Sequence, residues 1–168
     1  SRKPDRDAQT APELSIVIPA YNEERRLPET LRRIRVYLAA KRVEAEVIVV
    51  DDGSTDRTAA IVMEARVSWP ALRLVRNETN TGKGYAVRHG VLEARGRMVL
   101  FTDADLSAPI EEADKLLAVL GPYEIAIGSR AVDRSLIEVH ESRFREVAGI
   151  IFNKIVRAVT GVSFDDTQ

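Results

Sequence analysis

Residues 45–56 read AEVIVVDDGSTD, an apolar, β-branched run that passes straight into Asp51 and Asp52 and then into Gly53, Ser54, Thr55 and Asp56. Such a run, short and bounded by turn residues, is a buried strand. Carboxylates at the end of a buried strand are costly to desolvate unless a cation or hydrogen-bond donors meet them. Residues 98–105, MVLFTDAD, repeat the arrangement, with Asp103 and Asp105 following the apolar run. Two acidic clusters at strand ends point to a bound metal and a nucleotide.

Working outward, residues 14–19 (LSIVIP) form a first strand, followed by a helix from about Pro28 with Leu27, Leu31, Ile34 and Leu38 at helical spacing. The strand at 45–50 leads to a helix starting near Thr55 or Asp56, with Ile61, Val62 and Ala65 facing inward. A short strand at 72–76, a helix at 83–94, a strand at 98–102, a helix at 110–120 stopped by Gly121 and Pro122, and a fifth strand at 123–128 complete the pattern. Strands alternating with helices, each strand nearly continuously apolar, predict an α/β fold: a mostly parallel sheet with helices on both faces. Ligands collect beyond the carboxyl ends of such strands, where Asp51, Asp103, Asp105 and the segment Pro19-Ala20-Tyr21-Asn22-Glu23 all fall. They can share one crevice.

Composition narrows the function. The chain has 168 residues, 45% hydrophobic and 30% charged, enough for one compact domain. Residues 1–13 are polar, contain Pro4 and Pro12, and read as a disordered tail before a domain spanning 14–168. With 25 basic and 26 acidic residues, the net charge of -1 gives no field for a nucleic-acid backbone, so nucleic acid is not an expected partner. Zero cysteines exclude disulfides, thiolate metal sites and a cysteine nucleophile. No stretch reaches the roughly 20 apolar residues needed to span a bilayer.

The turn after the first strand separates nucleotide-binding designs. A dinucleotide fold would place Gly-x-Gly-x-x-Gly there, and a P-loop would end in Gly-Lys-Ser/Thr. Neither is present. Asp51 stands where a ribose-binding acid of a dehydrogenase would stand, which keeps that reading as a weaker rival. Asp103-Ala104-Asp105 offers two carboxylates to a hard divalent cation, Mg2+ or Mn2+, which takes one or two carboxylates plus substrate phosphates. Alone, an Asp-x-Asp is as well read as a turn in which Asp caps the following backbone. The acidic run at the second strand end weighs toward a ligand site, although Ser54, Thr55 or Asp56 can also cap the second helix, with Gly53 making the turn.

Together, Pro19-Ala20-Tyr21-Asn22-Glu23, the Asp51 to Asp56 run, Asn80-Thr81-Gly82-Lys83-Gly84, Asp103-Ala104-Asp105 and Gly128-Ser129-Arg130 resemble the family-2 inverting glycosyltransferases, which use the nucleotide-sugar-binding GT-A fold. Within that family, Asp103 to Ser107, the helix from Arg145-Glu146 to Phe152-Asn153, and Asp166-Thr167-Gln168 look most like the polyprenyl-phosphate (dolichyl-phosphate) glycosyltransferases, the glucosyl branch more than the mannosyl. The resemblance implies a nucleotide-sugar donor held by Pro19, Ala20, Tyr21, Glu23, Asp51, Asp52, Gly53, Gly82, Lys83, Asp103 and Ala104. Asp51 would accept from a uracil-type N–H, and Gly82-Lys83-Gly84 would offer amides and a cation to a phosphate or the base edge. Asp105, with Asp103, would hold the metal; Asp103, Asp105 and Arg130 would form the catalytic set. Arg130, Arg143, Arg145 and Asn153 would meet the acceptor phosphate.

The implied reaction moves a sugar, glucose from UDP-glucose in the leading reading, to a polyprenyl phosphate with inversion. A phosphate monoester with second pKa about 6 is already anionic at neutral pH, so no dedicated general base is required. Residues 143–160 place Phe144, Val147, Ala148, Ile151, Phe152, Ile155, Val156 and Val159 on one face, which suits a lipid-linked acceptor at a membrane surface and equally suits a helix packed on the sheet. The expected location is cytoplasmic and peripheral to the membrane, and the resemblance admits a homo-oligomer. Alternatives are a family-2 transferase with a saccharide or small-molecule hydroxyl acceptor, a GDP-mannose-dependent dolichyl-phosphate mannosyltransferase, and a nucleotide-binding module without turnover. The last follows because the resemblance implies further sequence after Gln168, opening Cys-Gly-Phe-Lys. His89, His140, Trp69 and the arginines at 25, 26, 32, 33 and 35 read as surface, capping or loop-packing residues.

Overall fold

A computed structural model describes residues 11–128. Four parallel strands, β1 (Leu14–Ala20), β2 (Ala45–Asp52), β3 (Leu72–Asn77) and β4 (Met98–Phe101), form one sheet in the order β3-β2-β1-β4. The helices α1 (Leu27–Lys41), α2 (Thr58–Ser68), α3 (Lys83–Glu93) and α4 (Ala113–Val119) alternate with them. The α/β class with a mostly parallel sheet is the one the sequence predicts.

Every residue of β1 is buried, as are seven of the eight in β2, because both strands lie inside the sheet with both faces covered. Register sets Val17 beside Ile48 and Val50 beside Val75. These side chains pack with Ala86 of α3. A Cβ built on Gly90 of α3 would stand 2.4 Å from Val17 Cγ1, so only glycine permits this close helix approach. The opposite parity of β1 and β2, Ile16, Ile18, Val47 and Val49, is also fully buried, and α1 contributes Leu27, Leu31, Ile34 and Leu38 to the core.

Several boundaries differ from the sequence expectations. Helix α2 begins at Thr58 rather than at Thr55 or Asp56. Asp56 Oδ1 accepts from the Thr58 amide at 2.9 Å, while Ser54 and Thr55 bond to Asn22 of the first loop. The fourth helical segment opens as a 3-10 turn, Ile110–Glu112, before α4. Backbone pairing starts ahead of Leu14: the Glu13 amide donates to Glu44 O, and Pro12 O accepts from the Arg97 amide. Residues 11–13 therefore belong to the folded unit, not to a tail.

Two further differences concern the sheet edge. Strand β4 is not buried on both faces among the described residues, since Val99 and Phe101 are exposed while Met98 and Leu100 are half-buried. Residues 123–128, expected as a fifth strand, are irregular, and alternate residues Tyr123, Ile125 and Ile127 are exposed. An apolar alternation becomes a strand only where a neighbouring backbone pairs with it, and none of the described residues does so. No helix among the described residues is long and apolar enough to cross a membrane.

Candidate functional site

The chain runs β1, β2, β3 toward one side of the sheet and then returns to place β4 on the other side of β1. The reversal opens a crevice at the carboxyl ends of β1 and β4, the usual ligand position in such sheets. A cavity of about 430 Å³ lies here. Its wall comes from Pro19 and Ala20 at the end of β1 and Tyr21 and Glu23 after it, from Asp52 and Asn80, from Gly82, Lys83 and Ala86 at the start of α3, and from Asp103, Ala104 and Asp105 after β4. Of the residues expected to share one crevice, Pro19, Ala20, Tyr21, Glu23, Asp103 and Asp105 line this cavity, and Asp51 does not.

The turn after β4 is held at its centre. Thr30, buried on α1, donates its hydroxyl to Ala104 O at 2.6 Å, and the Leu106 amide donates to Asp103 O at 3.1 Å. Ala104 and Leu106 are buried, and Leu106 adopts a left-handed φ of 48°. With its apolar members turned inward, the turn leaves the side chains of Asp103 and Asp105 36% and 38% exposed. Each faces a cation. Lys83 Nζ lies 2.7 Å from Asp103 Oδ1, and the Arg26 guanidinium lies 3.6 Å from Asp105 Oδ2. Asp105 Oδ1 also accepts from the Ser107 amide at 3.0 Å.

Two open carboxylates suit a hard divalent cation that completes its shell with donor phosphates and water. Among the described residues no group of three or more His, Cys, Asp or Glu converges, so Asp103 and Asp105 offer such an ion part of its coordination sphere. The donor set fits Mg2+ or Mn2+ better than zinc, which takes three or four protein ligands.

The two acids at the end of β2 differ in role. Asp52 lines the cavity, yet its carboxylate bonds are internal: Oδ1 accepts from Asn77 Nδ2 at 2.6 Å and Thr81 Oγ1 at 2.7 Å, and Oδ2 accepts from the Gly82 amide at 2.7 Å. Burial would push Asp52 up, but the donors from Asn77, Thr81 and Gly82 outweigh it and hold the carboxyl below its usual range. The Gly82 amide, one of those expected to be offered to a phosphate, is thus directed at Asp52, as is the Thr81 amide. Gly53 makes the turn as expected, with φ +71°, and a Cβ there would stand 2.6 Å from the Thr79 backbone carbon. Only glycine lets the loop at 78–82 cross so closely.

Asp51 is fully buried and is not on the cavity wall. Its Oδ1 accepts from the Ser54 amide at 3.0 Å and its Oδ2 from Arg76 Nε at 3.0 Å, leaving the rest of the Arg76 guanidinium largely exposed. Arg76 is a partner of Asp51 that sequence reasoning missed. Only the parallel register, which sets Asp51 directly beside Arg76 and Asp52 beside Asn77, reveals the pairing. Arg26 was missed as well. It was assigned to a solvated helix face, but it grips both Glu23 oxygens, at 2.7 and 2.8 Å, and reaches toward Asp105. Glu23 thus enters the site already paired.

The first two loops are laced together. Asn22, at φ 55°, donates its amide to Ser54 Oγ and accepts from the Thr55 amide, both at 2.9 Å. The Glu23 amide donates to Thr58 Oγ1 at 2.8 Å and the Glu24 amide to Asp56 Oδ2 at 3.0 Å. Ser54, Thr55 and Asp56 therefore fix the loop that carries Tyr21, half-exposed at the cavity mouth. Arg130, Arg143, Arg145, Asn153 and the amphipathic segment at 143–160 lie outside the described residues.

Comparison with known proteins accounts for the arrangement. The profile of glycosyl transferase family 2 matches residues 15–147. The dolichyl-phosphate beta-glucosyltransferase of Drosophila melanogaster is 39% identical over 170 residues, covering 93% of this chain and 52% of that protein. An undecaprenyl-phosphate 4-deoxy-4-formamido-L-arabinose transferase of Pseudomonas fluorescens is 36% identical over 155 residues, covering 91% and 44%. The chain thus spans about half the length of these relatives. A mannosyltransferase of Pyrobaculum calidifontis, solved with GDP-Man and Mn2+, superposes with a TM-score of 0.58 at 29% identity, covering 68% of this chain and 34% of that one. The sheet order, the crevice and these likenesses agree on a GT-A fold, and the chain belongs to glycosyl transferase family 2.

Proposed function

We propose that the protein transfers a sugar, glucose from UDP-glucose, to a polyprenyl or dolichyl phosphate with inversion at the anomeric carbon. One observation carries the reading: Asp103, Asp105 and Lys83 meet the end of β1 in a single cavity at the point where strand order reverses. A nucleoside diphosphate needs positive charge for its phosphates and a flat surface for its base; Lys83 with a cation held by Asp103 and Asp105 would supply the first, and Tyr21 the second. Support for the acceptor comes from the two relatives, whose names share a polyprenyl phosphate although their sugars differ.

Asp105 and Asp103 would hold the metal, which when bound supplies Lewis-acid stabilisation to the diphosphate leaving group. Lys83, now paired with Asp103, stands where it can turn to a donor phosphate and add a second positive charge. Tyr21 offers a ring face to the base, while Asp51, buried away from the cavity wall, acts by holding Arg76. Asp52, through its bond to the Gly82 amide, and Gly53, through the turn only it can make, shape the loop that carries Gly82. Glu23, through Arg26, sets the charge beside Asp105. Arg130, Arg143, Arg145 and Asn153 are assigned to the acceptor phosphate on the resemblance alone. That phosphate attacks as an anion, so a proton acceptor is not needed. The reaction takes place at the membrane surface where such lipids reside.

The test is incubation of the enzyme with Mg2+ or Mn2+, a short polyprenyl phosphate, and either UDP-glucose or GDP-mannose. Lipid-linked glucose formed from UDP-glucose alone supports the reading. Lipid-linked mannose from GDP-mannose replaces the donor assignment, and transfer to free saccharide with no lipid product overturns the acceptor.

A further inference from the structure

A chain of hydrogen bonds runs from the side of α3 into the loop that borders the cavity. Asp52 and Asn77 are register partners on β2 and β3, both buried. An ionised carboxylate only accepts hydrogen bonds, so the Asn77 amide nitrogen must face Asp52, as it does at 2.6 Å. The Asn77 oxygen then faces the other way, toward His89 Nδ1 at 2.7 Å. An amide oxygen only accepts, so Nδ1 must carry the proton. The direction of every bond in the chain is fixed: His89 donates to Asn77, Asn77 to Asp52, and Asp52 accepts from Thr81 and Gly82.

We infer that His89 is a positioning residue for the donor site, holding the Asn77 amide in the one orientation that lets Asp52 anchor the Thr81–Gly82 turn. The inference rests on the proposed donor-binding role of that turn. Half-buried on α3, His89 does not line the cavity itself. Tyr85 meets it edge to face, with ring centroids 6.2 Å apart, and restricts the imidazole to this pose. Asp52 draws the Asn77 nitrogen inward, and His89 supplies the donor that the outward oxygen needs; without Nδ1–H that oxygen would lose its bond. A buried amide that has lost one of its partners holds its pose less firmly, and its grip on Asp52 would weaken. The Thr81–Gly82 turn would loosen, and Lys83, the next residue, would lose its fixed approach to Asp103.

The experiment compares the wild-type enzyme with H89A and with H89N, whose amide nitrogen falls near the position of Nδ1. In the wild type, long-range 1H–15N correlation should report Nδ1 as the protonated ring nitrogen. Amide exchange at Thr81 and Gly82 should quicken about tenfold in H89A, with core amides such as those of Ile48 and Val50 unchanged, and H89N should restore it to within about twofold. UDP and GDP serve as binding probes, and the Kd of whichever binds should rise about fivefold in H89A and recover in H89N. An Nε2-protonated His89, or Thr81 and Gly82 amides indifferent to H89A, would overturn the inference. Failure of the wild type to bind either nucleotide would instead overturn the donor-site reading, while the exchange data still decide the role of His89.

Discussion

The hydroxyl of Thr30 donates to the carbonyl oxygen of Ala104 at 2.6 Å, tying α1 to the turn between two carboxylates 74 residues further along the chain. Thr30 and Ala104 are both buried. T30V keeps the side-chain shape and strands the carbonyl, so stability should fall by about 1–3 kcal/mol. Metal-dependent nucleotide binding should weaken with it, because Asp103 and Asp105 flank the released residue. Urea titration and calorimetry with UDP and Mn2+ check both; an unchanged urea midpoint would show that the bond contributes nothing.

Lys83 makes the contrasting case. Its ammonium is mostly exposed although it pairs with Asp103, so the pair should add little to stability. K83A is expected to unfold at the wild-type temperature while binding a nucleoside diphosphate about tenfold more weakly. Thermal unfolding beside a UDP titration separates the two effects. Equal affinity in K83A would remove Lys83 from the donor site.

Gly53 and Gly90 are tight for different reasons. In G90A the new methyl meets the Val17 and Val50 side chains at 2.4 and 2.8 Å, an overpacking worth about 1–3 kcal/mol. In G53A it meets the backbone of Thr79 and Asn80 at 2.6 and 2.7 Å and must also hold φ +71°. Backbone yields less readily than a side chain, so G53A should destabilise more and should also weaken nucleotide binding. Equal urea midpoints for G53A and the wild type would contradict the crossing of the two loops.

Acid should unfold the protein through its low carboxyls. Asp52, Asp56 and Glu46 are each held below the ordinary range: burial opposes the charge, and donors from Asn77, Thr81 and Gly82, from Thr58 and Glu24, and from Ser15, Arg95 and Arg73 outweigh it. A depressed native value means that the stabilisation is complete above the unfolded-state carboxyl range, about pH 4, and is lost as pH falls through the lower native values. Denaturation measured from about pH 5 downward should show stability decreasing, with a shallower slope in D52N. A D52N slope equal to that of the wild type would mean that Asp52 titrates normally.

The strands and helices could be read from the sequence because their signals are local. Apolar runs ending in Asp51 and Asp103, and the helical spacing of Leu27, Leu31, Ile34 and Leu38, need no knowledge of distant residues. Residues 123–128 carry an apolar alternation without a paired neighbour among the described residues, and they are not a strand. The site was legible as a set of loops, and its internal wiring was not. Whether Asp51 faces a ligand or Arg76 depends on strand register, and whether Ser54 caps a helix or grips Asn22 depends on how two loops meet. Arg26 and His89 looked like surface residues because their partners, Asp105 and Asn77, are brought to them only by the fold.

The central claim is that the turn at Asp103–Asp105 and the end of β1 form one metal-dependent nucleotide-sugar site. Its most direct test is UDP binding by calorimetry, with and without Mn2+, in the wild type and in D105N, which keeps an oxygen for the Ser107 amide while removing the charge. The wild type should bind UDP at least about tenfold more tightly with Mn2+, and D105N should show the same weak affinity with and without it. A D105N protein that retains the full Mn2+ enhancement would contradict the account.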